Sequence, residues 1–337
     1  MEKLLLFLLS ITILFGQEWV ARYNGEGNGN DVARRIAVHN GNIYVTGYSY
    51  GQGTLSDYAT IKYNSDGQEL WVRRYNGEGN GFDWVMSMAV DSYGNVYVTG
   101  WSEGQGTDYD YATIKYNPDG QELWVRRYNG EANGQDGASA IAVDNYGNVY
   151  VTGLSEGQGT SYDYLTIKYN PDGQIEWIRR YNGEGNGEDR ASAIAVDNYG
   201  NVYVTGRSYG QGTSYDYVTI KYNPDGQELW VRRYNGEANG EDYASAIAVD
   251  NYGNVYVTGL SEGQGTYYDY VTIKYLSVGI EESKREGKIK DESPNLKIYN
   301  SLGKIVNKNL KELKSGVYFL KIETNKKKEN KKIIIVK

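Results

Sequence analysis

The chain has 337 residues with no cysteine, one histidine, 43 glycines, 35 tyrosines and 4 prolines. These counts exclude disulfide scaffolds, thiolate metal sites, cysteine nucleophiles and a histidine triad with a histidine to spare. The formal net charge of -8 averages two unlike parts: residues 281–337 hold 16 Lys+Arg against 8 Asp+Glu, a net of +8, which leaves -16 on residues 1–280.

The first element is an export signal. Met1-Glu2-Lys3 opens a short positive start, an apolar run follows from Leu4 to Phe15 with only Ser10 and Thr12 as polar interruptions, and Gly16-Gln17 offers a cleavage point. The run fits a signal-peptide h-region and is too short to span a membrane, so residues 1–16 read as a removed signal peptide and the mature chain as lacking a membrane span.

From residue 17 to 276 a repeat dominates. Trp19, Trp71, Trp124, Trp177 and Trp230 open equivalent segments, and Tyr44, Tyr97, Tyr150, Tyr203 and Tyr256 recur every 53 residues. The first copy is one residue short, because His39-Asn40-Gly41-Asn42 replaces the later Asp-x-Tyr-Gly-Asn. Each of the five copies predicts four short strands; in the fourth they cover Glu176 to Tyr181, Ser192 to Val196, Asn201 to Thr205 and Asp216 to Tyr222. The last alternates Tyr217, Thr219 and Lys221 against Val218, Ile220 and Tyr222, a period of two. Asn223-Pro224-Asp225-Gly226 sets Pro and Gly where a tight turn needs fixed and positive φ.

Four-stranded units of this length predict an all-β fold, a five-bladed β-propeller. The mature chain starts with a Trp-type strand and ends on the type that precedes one, so the N-terminal strand is expected to complete the last blade and remove an open edge. An open stack of hairpins or a solenoid is the alternative. Residues 277–293 read as a linker, and 294–337 as a small β-sandwich-like segment.

The run Asp189-Arg-Ala-Ser-Ala-Ile-Ala-Val-Asp-Asn-Tyr-Gly-Asn-Val-Tyr-Val-Thr-Gly206 resembles the bacterial β-propeller repeat family SBBP. The likeness recurs five times over residues 17–275 and implies a secreted or cell-surface protein; five copies depart from the seven blades often described for that family. The segments Leu296 to Val306, Leu313 to Ile322 and Lys331 to Lys337 resemble the end of a type IX secretion C-terminal sorting domain. That resemblance implies the secretion machinery as a partner; the strand pair that usually precedes these segments is missing, so the domain reads as truncated.

Antiparallel strands sort the connections onto two faces, tight turns on one and longer loops on the other. Among the longer loops, Asn182, Glu184, Asn186 and Asp189 space oxygen donors as the opening of a calcium loop does, without its final carboxylate; Gly turns with Asn and Asp capping backbone amides are the competing account. No cofactor is otherwise implied. Asp31, Asp83, Asp136, Asp189 and Asp242 are expected to ring the mouth of the central channel, as cation or polyol ligands or as caps for their own strands. Trp101, Tyr109, Tyr162, Tyr215 and Tyr268, beside amides and acids, suit the apolar faces and hydroxyls of sugars; packing between blades is the plainer role. The Arg pairs Arg73-Arg74, Arg126-Arg127, Arg179-Arg180 and Arg232-Arg233 read as solvated rim charges. An acidic propeller disfavours nucleic acid. The expected function is a secreted binding or adhesion module for a glycan or surface protein, not an enzyme, because near-identical loops supply no single catalytic constellation. A glycoside hydrolase and a purely structural surface protein are the alternatives.

Overall fold

The computed structural model describes residues 18–276, 296–300, 316–323 and 328–335. The expected signal peptide and linker lie outside the described residues. Those described contain no helix; nineteen strands form one compact unit up to Lys274, and three more lie in a second unit.

The first unit is propeller-like. Four sheets have four antiparallel strands each, in sequence order: β1 (Asp31–His39), β2 (Asn42–Tyr50), β3 (Ser56–Tyr63) and β4 (Glu69–Tyr75); then β5 (Asp83–Val90), β6 (Val96–Glu103), β7 (Tyr109–Tyr116) and β8 (Glu122–Tyr128). The third holds β9 (Asp136–Val143), β10 (Val149–Glu156), β11 (Tyr162–Tyr169) and β12 (Ile175–Tyr181), and the fourth β13 (Asp189–Val196), β14 (Val202–Tyr209), β15 (Tyr215–Tyr222) and β16 (Glu228–Tyr234). The fifth sheet has three strands, β17 (Asp242–Val249), β18 (Val255–Glu262) and β19 (Tyr268–Tyr275). The inner strands pack on one another in the order β1, β5, β9, β13, β17.

Inner strands begin three residues earlier than the pattern predicts. In β13 the register slips between Ala191 and Ala193, and this bulge lets pairing resume at Asp189↔Ser208 and Arg190↔Arg207. A period-two reading stops at the bulge because alternation fails there.

Blades are joined by a repeated set of contacts. Tyr111 is fully buried and its hydroxyl donates to Leu165 O at 3.3 Å; Lys115 Nζ and Trp124 Nε1 both donate to Pro171 O, at 3.0 and 3.1 Å. The turn carbonyls are thus the ledge on which the preceding blade rests. Gly120 shows why that turn ends in glycine: its φ is +79°, and a Cβ would meet the Trp71 indole at 2.8 Å. The first Arg of each pair is not a free rim charge either, since Arg126 Nε donates to Gly173 O at 2.6 Å and the guanidinium stands 5.6 Å over Trp124. The second, Arg127, reaches inward to Ser102 Oγ at 2.5 Å and Asp110 Oδ2 at 2.7 Å.

Residues 18–23 carry no strand assignment and do not pair with β19. Trp19 nevertheless takes on the first sheet the place Trp71 takes on the second: Nε1 donates to Ser65 O at 3.1 Å, and its ring lies 6.2 Å from Tyr63. The expected completion of the last blade is therefore met on one side only. In the second unit, β20 (Leu296–Asn300), β21 (Gly316–Glu323) and β22 (Lys328–Ile335) form one antiparallel sheet in that order.

Candidate functional site

The aspartate row turns inward. Asp83, Asp136, Asp189 and Asp242 are fully buried, and each Oδ2 accepts from a glycine amide six residues upstream, Gly77 N at 2.7 Å and Gly130 N at 2.6 Å among them. Asp31 makes the same bond from Gly25 and is half-buried. Each carboxylate pins the long loop to its own sheet, so the row does not face an open channel. Burial pushes the Asp83 carboxyl up to about 6, against the lowering effect of the Gly77 amide and the Ser102 hydroxyl; Asp136, Asp189 and Asp242 are raised for the same leading reason.

The calcium-like loop closes on itself. Asn182 Nδ2 donates to Asn186 Oδ1 at 2.6 Å, Asn186 takes φ +50°, and Asp189 is held by the Gly183 amide, while Glu184 points to solvent. Among the described residues no group of three or more His, Cys, Asp or Glu side chains is placed to hold a metal ion.

The aromatic row lies on the long-loop face. Tyr109, Tyr162, Tyr215 and Tyr268 each open the third strand of a blade, the first three half-buried and Tyr268 51% exposed. Their neighbours differ from blade to blade. Tyr109 stacks on Trp84 at 5.5 Å and meets Trp101 edge-on at 5.9 Å; Trp101 in turn lies over Gly137, where a Cβ would stand 2.2 Å from the indole. The Tyr162 hydroxyl donates to Gln135 Oε1 at 3.0 Å, and Arg190 sits 4.9 Å over the ring. Tyr215 is flanked by Tyr209 and Tyr243 at 5.5 and 5.6 Å, with Arg207 standing 5.1 Å over it and 4.9 Å over Tyr243. Glu188 bridges the two cations, 2.6 Å from Arg190 and 2.7 Å from Arg207. The Tyr268 hydroxyl donates to Glu241 Oε2 at 2.7 Å, and the tyrosine hydroxyl bonds from Tyr243 and Tyr268 hold Glu241 below the usual carboxylate range.

The structure thus brings together Tyr162 and Tyr215 through Arg190, Glu188 and Arg207, and sets Trp101 with Tyr109 one blade away. Glu188, Arg190, Glu241, Tyr243 and Trp84 were not singled out by the repeat pattern. They occupy positions where copies differ (82/135/188/241 and 84/137/190/243), so departures from the repeat carry the signal. A second row also appears: Tyr93, Tyr146, Tyr199 and Tyr252, 75–82% exposed at the tight turns of the opposite face.

A model described as a beta-propeller repeat, SBBP, matches residues 70–106, 123–159, 176–212 and 229–265. A model described as a secretion system C-terminal sorting domain matches residues 269–336 and so begins within β19, 25 residues before the tail segment expected from the sequence. No curated protein matches the chain. Among solved structures, a gluconolactonase from Xanthomonas campestris is 17% identical with a TM-score of 0.39, covering 72% of each chain. A puromycin hydrolase is 12% identical with a TM-score of 0.44, covering 86% of this chain and 42% of that one. A GH43 β-xylosidase/α-arabinofuranosidase from a compost metagenome is 12% identical with a TM-score of 0.36, covering 81% and 93%. At such identities and scores the likenesses assign no activity to this chain.

Proposed function

For a chain that carries SBBP beta-propeller repeats and a secretion-system C-terminal sorting domain, and that is directed to export by the latter, we propose a binding module that holds a polyhydroxylated ligand, a glycan, on the long-loop face. One observation carries this reading: four tyrosines at one repeat position share a face, and two of them are joined by a charged bridge found in no other copy, Arg190–Glu188–Arg207. Half-exposed rings offer apolar surface to the C–H faces of a sugar, and guanidiniums and carboxylates offer fixed partners to its hydroxyls. Arg190 and Arg207 are balanced by Glu188 and by Glu241 beside Arg207 and Tyr243, so the cluster offers fixed donors and acceptors with no excess of positive charge, which suits a neutral polyol. The centre of the reading is Tyr162, Arg190, Arg207, Tyr215 and Tyr243, with Tyr268 and the Trp101–Tyr109 pair as outer positions.

Binding here is without turnover. The inner aspartates are each engaged by a backbone amide, which supports a structural role for them and not that of a hydrolytic pair. The exposed Tyr93, Tyr146, Tyr199 and Tyr252 favour a second reading, in which the turn face is the adhesive surface through four like and weak contacts.

A glycan-array screen of the mature chain tests both. Arg207→Gln is expected to weaken a captured glycan about tenfold or more, the scale of one well-placed anchor, with the melting temperature checked alongside. Tyr146→Ala is expected to leave binding unchanged. The reverse pattern moves the site to the turn face, and capture of no glycan overturns the reading.

A further inference from the structure

The first sheet carries a groove of about 300 Å³, lined by Trp19, Ile36, Ile43, Val45, Ile61 and Tyr63 among others. Its apolar character has a specific origin. At the first inter-blade interface, Tyr44, Tyr58 and Trp71 of one sheet bury themselves against Met88, Val96, Val98, Ile114 and Tyr116 of the next. Ile36, Ile43, Val45, Ile61 and Tyr63 are the first-copy counterparts of those five residues. The groove is therefore the receiving half of an inter-blade interface, with Trp19 already seated as Trp71 is. Ile36 stands 70% exposed there, whereas its third-copy counterpart Ile141 is 8% exposed.

The fifth sheet presents the inserting half. Tyr58, Tyr111, Tyr164 and Tyr217 are at most 1% exposed, and each hydroxyl donates to a backbone carbonyl one blade on; their counterpart Tyr270 is 97% exposed. The half is formed in advance, because Lys274 stands 5.1 Å over Tyr256 as Lys115 stands 5.2 Å over Tyr97. By repeat position, Tyr270 would reach Ala59 O, and Lys274 would reach Ser65 O, the carbonyl that already accepts from Trp19.

We propose that the fifth sheet of one copy docks in the first-sheet groove of a second copy, so that the chain associates head to tail. Within one chain the two halves stand apart, both solvent-facing, while the four interfaces between them are already made. The join buries on each side the residues that the interior interfaces bury, and continues them in the same geometry. Such an interface is heterologous: each copy offers one groove and one inserting face, which builds open chains of copies or a ring. The Trp-type segment around Trp19 would meanwhile lie beside the outer edge of the partner's β19, which pairs only with β18 among the described strands.

Analytical ultracentrifugation of the mature full-length chain, from about 1 to 100 μM, a span that covers micromolar association, tests the proposal. Wild type is expected to form species larger than a monomer as concentration rises. Tyr270→Ala and Ile36→Lys, both at exposed positions that leave the fold intact, are each expected to remain monomeric. An equimolar mixture of the two variants is expected to stop at dimers, since it contains one sound groove and one sound inserting face. A monomer at every concentration overturns the proposal; if hydrogen exchange then shows β19 protected, the fifth sheet closes on its own groove, and if it does not, the two halves do not associate.

Discussion

Asp83 shows how a residue that looks like a ligand in sequence becomes a fastener in the fold. Its carboxylate holds the Gly77 amide at 2.7 Å inside the sheet, and burial lifts its pKa to about 6. An unfolded aspartate ionises near 4. Between those values the folded chain binds a proton that the unfolded chain has lost, so stability rises as pH falls from 7 toward 5. For Asp83 alone the cost of ionisation at neutral pH is about 3 kcal/mol, and Asp136, Asp189 and Asp242 shift the same way. A melting series is expected to show a higher midpoint at pH 5 than at pH 7, with a flatter slope in Asp83→Asn. A midpoint that falls over that interval would show that these carboxyls are not raised. The sequence identified the row by its period but could not place it, because the bond to an amide six residues upstream depends on how the loop folds back.

At the scale of the element, each blade is a module whose outer Trp rests on the next module's turn. Trp124 is 7% exposed, and truncating it to alanine is expected to cost about 3–5 kcal/mol in chemical denaturation. The variable loop positions follow a pairwise rule. Trp101 fits only because its neighbour at 137 is glycine, so Gly137→Ala is expected to destabilise by about 1–3 kcal/mol, the usual range for overpacking. The second change Trp101→Leu, which installs the leucine that position 154 already carries, is expected to restore most of that loss. A double variant no more stable than Gly137→Ala would show that the clash lies elsewhere.

Across the whole molecule, period-two alternation and Pro/Gly turns made the strand order legible, and the count of Trp-type strands made a complementary pair of ends legible. Whether those ends meet was not, since Ile36 and Tyr270 read in sequence like their buried counterparts and the angle between blades leaves no local pattern. The candidate site was legible in part. The 53-residue spacing pointed to Tyr109, Tyr162, Tyr215 and Tyr268, whereas Arg190, Glu188 and Arg207 emerge only when residues from two successive blades are seen side by side. An oxidative footprint of the tyrosines, taken with and without a saturating glycan from the array, separates the long-loop face from the turn face. Protection is expected at Tyr162, Tyr215, Tyr243 and Tyr268 with no change at Tyr93, Tyr146, Tyr199 and Tyr252; protection confined to the latter four would put the ligand on the turn face instead.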